Sequence, residues 1–260
     1  MLTATLYYNS IIKNYPKTLA STASEPTVVQ ATKYYLANIG NVKSVNDLLN
    51  NDKLYTYVMT AFGLRDMMNA KGLIRQVLEG GVSSSKSLAN TLNDPRYKAL
   101  ATAFNFAANG AAATQATSAQ QGAVNNYVEQ TLESDVGKQN QGVQMALYFQ
   151  RMAPSITSAY SILADKQLLS VVQTALGLSP LMSTEPIDTQ AALISKQFKI
   201  SDLQNPAKLQ KFIERFTATY DAQNGSTQPT SPTLSLFTGN SPGISSNLLL
   251  QLANLKLGGS

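Results

Sequence analysis

The sequence predicts an all-α protein built from two related helical subdomains. Three observations carry this. Apolar residues recur at three- and four-residue steps, with few alternating Val/Ile/Thr stretches. Asp or Asn followed by Pro, and Gly just past an apolar run, punctuate the chain as helix starts and stops. Two blocks recur in matching order about 112–114 residues apart.

The elements follow in order. Tyr8, Ile12, Tyr15 and Leu19 step by four, three and four and form an amphipathic N-terminal segment over 1–25, limited by Pro16. Pro26 opens a helix over Thr27 to Ile39 that stops at Gly40. Asp52 caps a stretch with Leu54, Tyr55, Val58, Met59 and Phe62 on one face, ended by Gly63. Met68 to Leu78 is closed by Gly80-Gly81, and Asp94-Pro95 starts Arg96 to Phe106. These elements form the first helical repeat, residues 26–106. The charge-free stretch over 107–122, AANGAAATQATSAQQG, reads as a flexible small-residue linker.

The second repeat spans 123–221. Val124, Val128, Leu132, Val136, Val143 and Leu147 predict one long helix ending near Pro154, with Glu129, Glu133, Asp135 and Lys138 on its polar face. Ser155 to Ala164 and Asp165 to Leu176 follow, the latter ended by Gly177. Asn205-Pro206 opens Ala207 to Tyr220. Residues 222–260 form a Gln/Ser/Thr/Pro/Gly-rich tail ending in an apolar helix. There Ile244, Leu248, Leu252 and Leu255 step by four, four and three.

The repeat is specific in its order. DKLYTYVMTAFGL (Asp52 to Leu64) parallels DKQLLSVVQTALGL (Asp165 to Leu178), with T-A-(F/L)-G-L offset by 114 residues. LNDPRYKALATAF (Leu92 to Phe104) parallels LQNPAKLQKFIERF (Leu203 to Phe216). Shared composition of amphipathic helices could produce such likeness. The matched order of caps and stops favours internal duplication.

Composition excludes much chemistry. The 260 residues include no Cys, no His and no Trp, and only 13% are charged, about half the usual share. Ser, Thr, Asn and Gln make up about a third. Thiolate nucleophiles, imidazole bases, disulfides and Cys- or His-ligated metals are therefore ruled out. The net charge of +5 is scattered, with no run of four basic residues, so nucleic-acid binding is not expected. No stretch approaches 18 apolar residues, which argues against membrane insertion. The N-terminus lacks the pattern of a cleaved leader.

No Gly-rich phosphate loop or calcium loop occurs. Glu129 and Glu133, spaced four apart, could form an acid/base pair, but a solvated helix face is the expectation. Ser83 and Lys86 fit an SxxK spacing without its companion motifs, and a loop explains them equally. Asn224-Gly225-Ser226 is a common glycosylation string with no secretory context. No catalytic, cofactor-binding or metal-binding residue and no small-molecule substrate is predicted.

Longer blocks carry a resemblance. TKYYLANIGNVKSVNDLL (Thr32 to Leu49), DKLYTYVMTAFGLRDM (Asp52 to Met67), SLANTLNDPRYKALATAFNF (Ser87 to Phe106), ESDVGKQNQGVQMALYFQRMAP (Glu133 to Pro154), SAYSILADKQLLSVVQTALGL (Ser158 to Leu178) and LQKFIERF (Leu209 to Phe216) resemble an alphaproteobacterial family of unknown function encoded among flagellar genes. The resemblance implies a helical protein connected with motility. It implies no activity or cofactor.

Cys-poor, Ser/Thr/Asn/Gln-rich, leaderless chains with apolar terminal helices also resemble flagellar rod, hook and filament proteins. The expectation is a non-enzymatic structural or assembly protein of the bacterial flagellum, exported without a cleaved signal. It would meet other flagellar proteins, or itself, through Tyr8, Ile12, Leu19, Ile244, Leu248, Leu252 and Leu255; docking of these terminal stripes on the chain's own core is an equal alternative. The alternative is a cytoplasmic binding module, an export chaperone or a regulator of flagellar assembly.

Overall fold

The structure is a computed structural model that describes residues 2–224. Among them there is no β-strand, so the all-α expectation holds. Two hydrophobic cores form. The first gathers α3 (Pro26–Ile39), α4 (Val45–Asn50), α5 (Asp52–Ala61), α6 (Lys71–Gly80), α7 (Leu88–Thr91), α8 (Pro95–Phe104) and α9 (Phe106–Asn109). The second gathers α1 (Ala4–Lys13), α11 (Gln141–Met152), α12 (Ala159–Leu163), α13 (Lys166–Leu176), α14 (Ile187–Gln197) and α15 (Pro206–Asn224).

Helix α10 (Ala123–Gly137) joins the two. Its first residues, Ala123 and Val124, belong to the first core; Leu132 and Val136 belong to the second. It packs on α5, on α11 and on α2 (Tyr15–Ala23). In the first core, Tyr57 stacks between Tyr35 and Tyr127, with ring centroids 4.2 and 4.0 Å apart.

Cap chemistry repeats at a spacing of 114 residues. Ser44 caps α4 and Ser158 caps α12 through side-chain oxygens. Asn51 caps α5 and Asp165 caps α13 in the same way, so Asn51, not Asp52, starts the first of these helices. Both helices end in a left-handed glycine, Gly63 at φ +68° and Gly177 at φ +66°. The following amides close the turn, Leu64 N to Met59 O at 2.8 Å and Leu178 N to Gln173 O at 2.9 Å. Helix α5 packs on α3 and α4, as α13 packs on α11 and α12.

Two expectations change and one open alternative is decided. Residues 107–122 are not a flexible linker. They form a 3-10 helix (Gly110–Gln115) and a π turn (Ser118–Gly122) in which Ala113, Thr114 and Ala119 are buried. Small side chains let the backbone lie close to the first core. There the Thr114 hydroxyl donates to Val42 O at 2.9 Å, and the Tyr35 hydroxyl donates to Ala119 O.

The long helix over 124–154 is two helices. The Asn140 side chain caps α11 by accepting from Val143 N at 3.1 Å, and the short link after Gly137 folds α11 back along α10. Finally, the N-terminal segment packs against the second core. Asp221 of α15 accepts the Ala4 and Thr5 amides at 2.6 and 2.9 Å, satisfying donors in the first turn of α1.

Candidate functional site

Where α5, α8, α10, α11 and the start of α13 meet, a cleft of about 770 Å³ opens. Its charge begins with a local cap. Asp94 precedes Pro95 at the head of α8 and accepts the Arg96 amide at 2.9 Å. The same carboxylate then takes the Arg96 guanidinium, with Nη2 to Oδ2 at 2.8 Å and Nε to Oδ2 at 3.0 Å. Nη1 of Arg96 donates to Gly63 O at 2.6 Å, the carbonyl at the left-handed end of α5. Held in this way, the guanidinium lies 3.6 Å from Asp66 and 3.6 Å from Asp165. Burial opposes its charge, yet the bonds and field of Asp94 push its pKa upward overall, so it stays charged.

Asp165 is the other centre. It accepts the Gln167 and Leu168 amides at 2.8 and 3.0 Å as the cap of α13, and the Tyr148 hydroxyl of α11 donates to it. Burial, then the negative Asp165, pushes the Tyr148 hydroxyl pKa up, so it remains a donor. Behind Tyr148, Arg151 lies over its ring at 5.1 Å and grips Glu133 of α10 with two bonds of 2.6 and 3.1 Å. Burial pushes the Glu133 carboxyl up, while Arg151 works in the opposite direction. A continuous chain of groups thus runs Glu133–Arg151–Tyr148–Asp165–Arg96–Asp94 across both halves.

This arrangement corrects the solvated-face expectation for Glu133, which is only 4% exposed and pairs with Arg151. It does not revive an acid/base pair, because the carboxylate is spent on the guanidinium. Glu129 is half-buried and its carboxyl is also pushed up by burial. Ser83 and Lys86 sit in an exposed loop, where the Lys86 amide donates to the Ser84 hydroxyl at 3.2 Å.

The expected partner stripe is divided. Tyr8 is fully buried and donates to Gln150 at 2.7 Å, and Ile12 and Leu19 pack against the second core. These three side chains are therefore committed to the chain's own interior, because α1 and α2 need that core to bury their apolar faces. Ile244, Leu248, Leu252 and Leu255 lie outside the described residues. The exposed apolar side chains here are instead Leu6 on α1 and Leu2 just before it, 60% and 59% exposed.

Sequence reasoning missed Arg96, Tyr148 and Arg151. The available signal was the scarcity of arginine, together with the position of Arg151 in the apolar run from Met145 to Met152. Among the described residues no group of acidic side chains could hold a metal ion, and no helix is long and apolar enough to cross a membrane.

Residues 61–209 match the family described as "Protein of unknown function (DUF1217)", more than half of the chain. The crystal structure of protein AGR_C_984 from Agrobacterium tumefaciens is similar over most of the chain. It is 43% identical, covers 84% of this chain and 93% of its own, and superposes with a TM-score of 0.78. No curated protein matches significantly.

Proposed function

The chain belongs to the DUF1217 family, and we propose that it serves as a non-enzymatic structural or assembly protein of the bacterial flagellum. Leu2 and Leu6 carry this reading. Leu6 lies on a terminal helix that is already anchored by Tyr8 and Asp221, Leu2 lies just before its cap, and both expose apolar surface where a partner can cover it. The blocks that resemble proteins encoded among flagellar genes supply the flagellar context. The absence of Cys suits a chain that must unfold to pass an export channel. The contact residues are proposed as Leu2 and Leu6 and, separately, the seam that the sequence predicts at Ile244, Leu248, Leu252 and Leu255.

The 114-residue recurrence of caps and glycine stops supports duplication as the origin of the two halves.

The test compares secreted and cell-associated protein in strains with and without a working flagellar export gate. Export-dependent secretion, and loss of motility with Leu6→Glu at unchanged fold, are the expected results. Protein that never leaves the cell and a motile Leu6→Glu strain overturn the reading. The cleft favours a second reading, a binding module inside the cell, for which the protein is retained whether or not the gate works.

A further inference from the structure

The rims of the cleft carry two cations that no carboxylate answers. Arg65 lies in the 3-10 turn after α5 (Arg65–Met67), on the first half; Lys166 opens α13, on the second. Both are exposed and both line the cleft. Neither forms an ion pair among the described residues. In the wall of the same cleft, the Nε2 of Gln130 is buried without an acceptor. An unanswered buried donor costs about 1–3 kcal/mol.

The carboxylates nearby are already engaged. Asp94 holds Arg96, Asp165 holds Tyr148 and the α13 amides, and Glu133 holds Arg151. Asp66, the most exposed, lies 3.6 Å from Arg96. What remains unsatisfied is therefore donor and cation, not acceptor. The cleft volume falls in the range of ligand sites, and such sites favour junctions between packed units.

We propose that this cleft binds a ligand bearing carboxylates, held between Arg65 and Lys166 across the two halves. The planar fork of Arg65 suits a carboxylate. The carboxylates come either from an acidic peptide segment or from a free small dicarboxylate. Because the two cations belong to different halves, bound ligand draws the rims together and stabilises the fold by linkage.

The full chain is titrated with two probes, succinate and the capped peptide acetyl-Glu-Gly-Glu-amide. Inorganic phosphate and sodium chloride are the controls. The readouts are melting temperature and the side-chain amide signals of Gln130. Saturable binding of either probe, weaker by about tenfold in R65E and in K166E and unchanged in K86E, supports the site. Peptide binding alone identifies a partner's acidic segment; succinate binding alone identifies a free acid. Both reversals lie at exposed positions, and their melting without probe confirms the fold. No saturable binding by either probe overturns the proposal. So does binding indifferent to both reversals, or phosphate binding as tight as carboxylate.

Discussion

Nε of Arg96 in the first half stands 3.6 Å from Oδ2 of Asp165, the residue that caps α13 in the second. Asp165 is 4% exposed and answers the Arg96 guanidinium, the Tyr148 hydroxyl and two backbone amides at once. Removing it orphans the Tyr148 hydroxyl and both amides and leaves Arg96 to Asp94, Asp66 and Gly63 O. Asp165→Ala is expected to lower stability by about 2–4 kcal/mol, chiefly by leaving the buried Tyr148 hydroxyl without its acceptor. Loss of the cap itself accounts for about 1 kcal/mol of this. Asp165→Asn keeps a side-chain oxygen for the amides and should lose clearly less. Urea denaturation followed by circular dichroism measures both; an alanine variant as stable as the parent contradicts the assigned role.

The Glu133–Arg151 pair gives a prediction with a pH sign. Burial pushes the Glu133 carboxyl up, and Arg151 is what opposes it. In Arg151→Met the carboxyl loses that partner and its folded pKa rises further above the unfolded value. A raised folded pKa contributes stability that is fully present below the unfolded pKa and lost as pH rises through the folded one. The variant should therefore be impaired by about 3–5 kcal/mol at neutral pH and recover toward the parent on acidification below about pH 4–5. Adding Glu133→Gln should restore much of the neutral-pH loss. A deficit that stays constant from pH 7 to mild acid, in paired melting curves, would show that Glu133 does not carry it.

Helix positions were legible because caps and stops are local chemistry. Ser or Asn at an N-cap and glycine at a left-handed stop depend on neighbours three or four residues away. The network was not legible, because its bonds join residues far apart in the chain. Arg96 meets Gly63 because α8 packs beside the end of α5, and Arg151 meets Glu133 because α11 folds back along α10. The segment over 107–122 misled for a related reason. Ala and Gly read as linker by composition, yet small side chains are also what close backbone packing requires. Thr114 shows which applies, since its hydroxyl is fully buried on Val42 O. The seam of Tyr8, Ile12 and Leu19 was correctly apolar, but periodicity does not say whether the covering surface is the same chain or another.

Gly63 and Gly177 should respond unequally to alanine. Both hold left-handed φ, which costs an L-residue about 1–2 kcal/mol. At Gly177 a new methyl meets nothing within 4 Å, so that strain is the whole cost. At Gly63 it comes 3.1 Å from Nε2 of Gln130, beside the carbonyl that Arg96 holds. Gly63→Ala is therefore expected to destabilise by more than Gly177→Ala and to disturb the cleft. Equal losses in thermal denaturation, with unchanged Gln130 amide signals, would separate Gly63 from the network.

Alkaline titration tests the tyrosine interior. The chain has 12 Tyr and no Trp, so tyrosinate absorbance is unobscured. Burial pushes the hydroxyls of Tyr8, Tyr15, Tyr35, Tyr57 and Tyr148 well above their usual pKa. Glu214 adds to this at Tyr8, Glu129 at Tyr15 and Asp165 at Tyr148. The folded chain thus keeps protons that the unfolded chain releases above about pH 10. Stability from these groups is intact below that pH and falls as pH rises through it, by about 1.4 kcal/mol per unit for each hydroxyl held neutral. The expected curve has two phases. Exposed tyrosines ionise first and reversibly; the buried set ionises together with loss of helical circular dichroism. Ionisation of all 12 in one gradual phase with the helices intact would place the hydroxyls of Tyr35 and Tyr148 in contact with water, and the stacked core and cleft network with them.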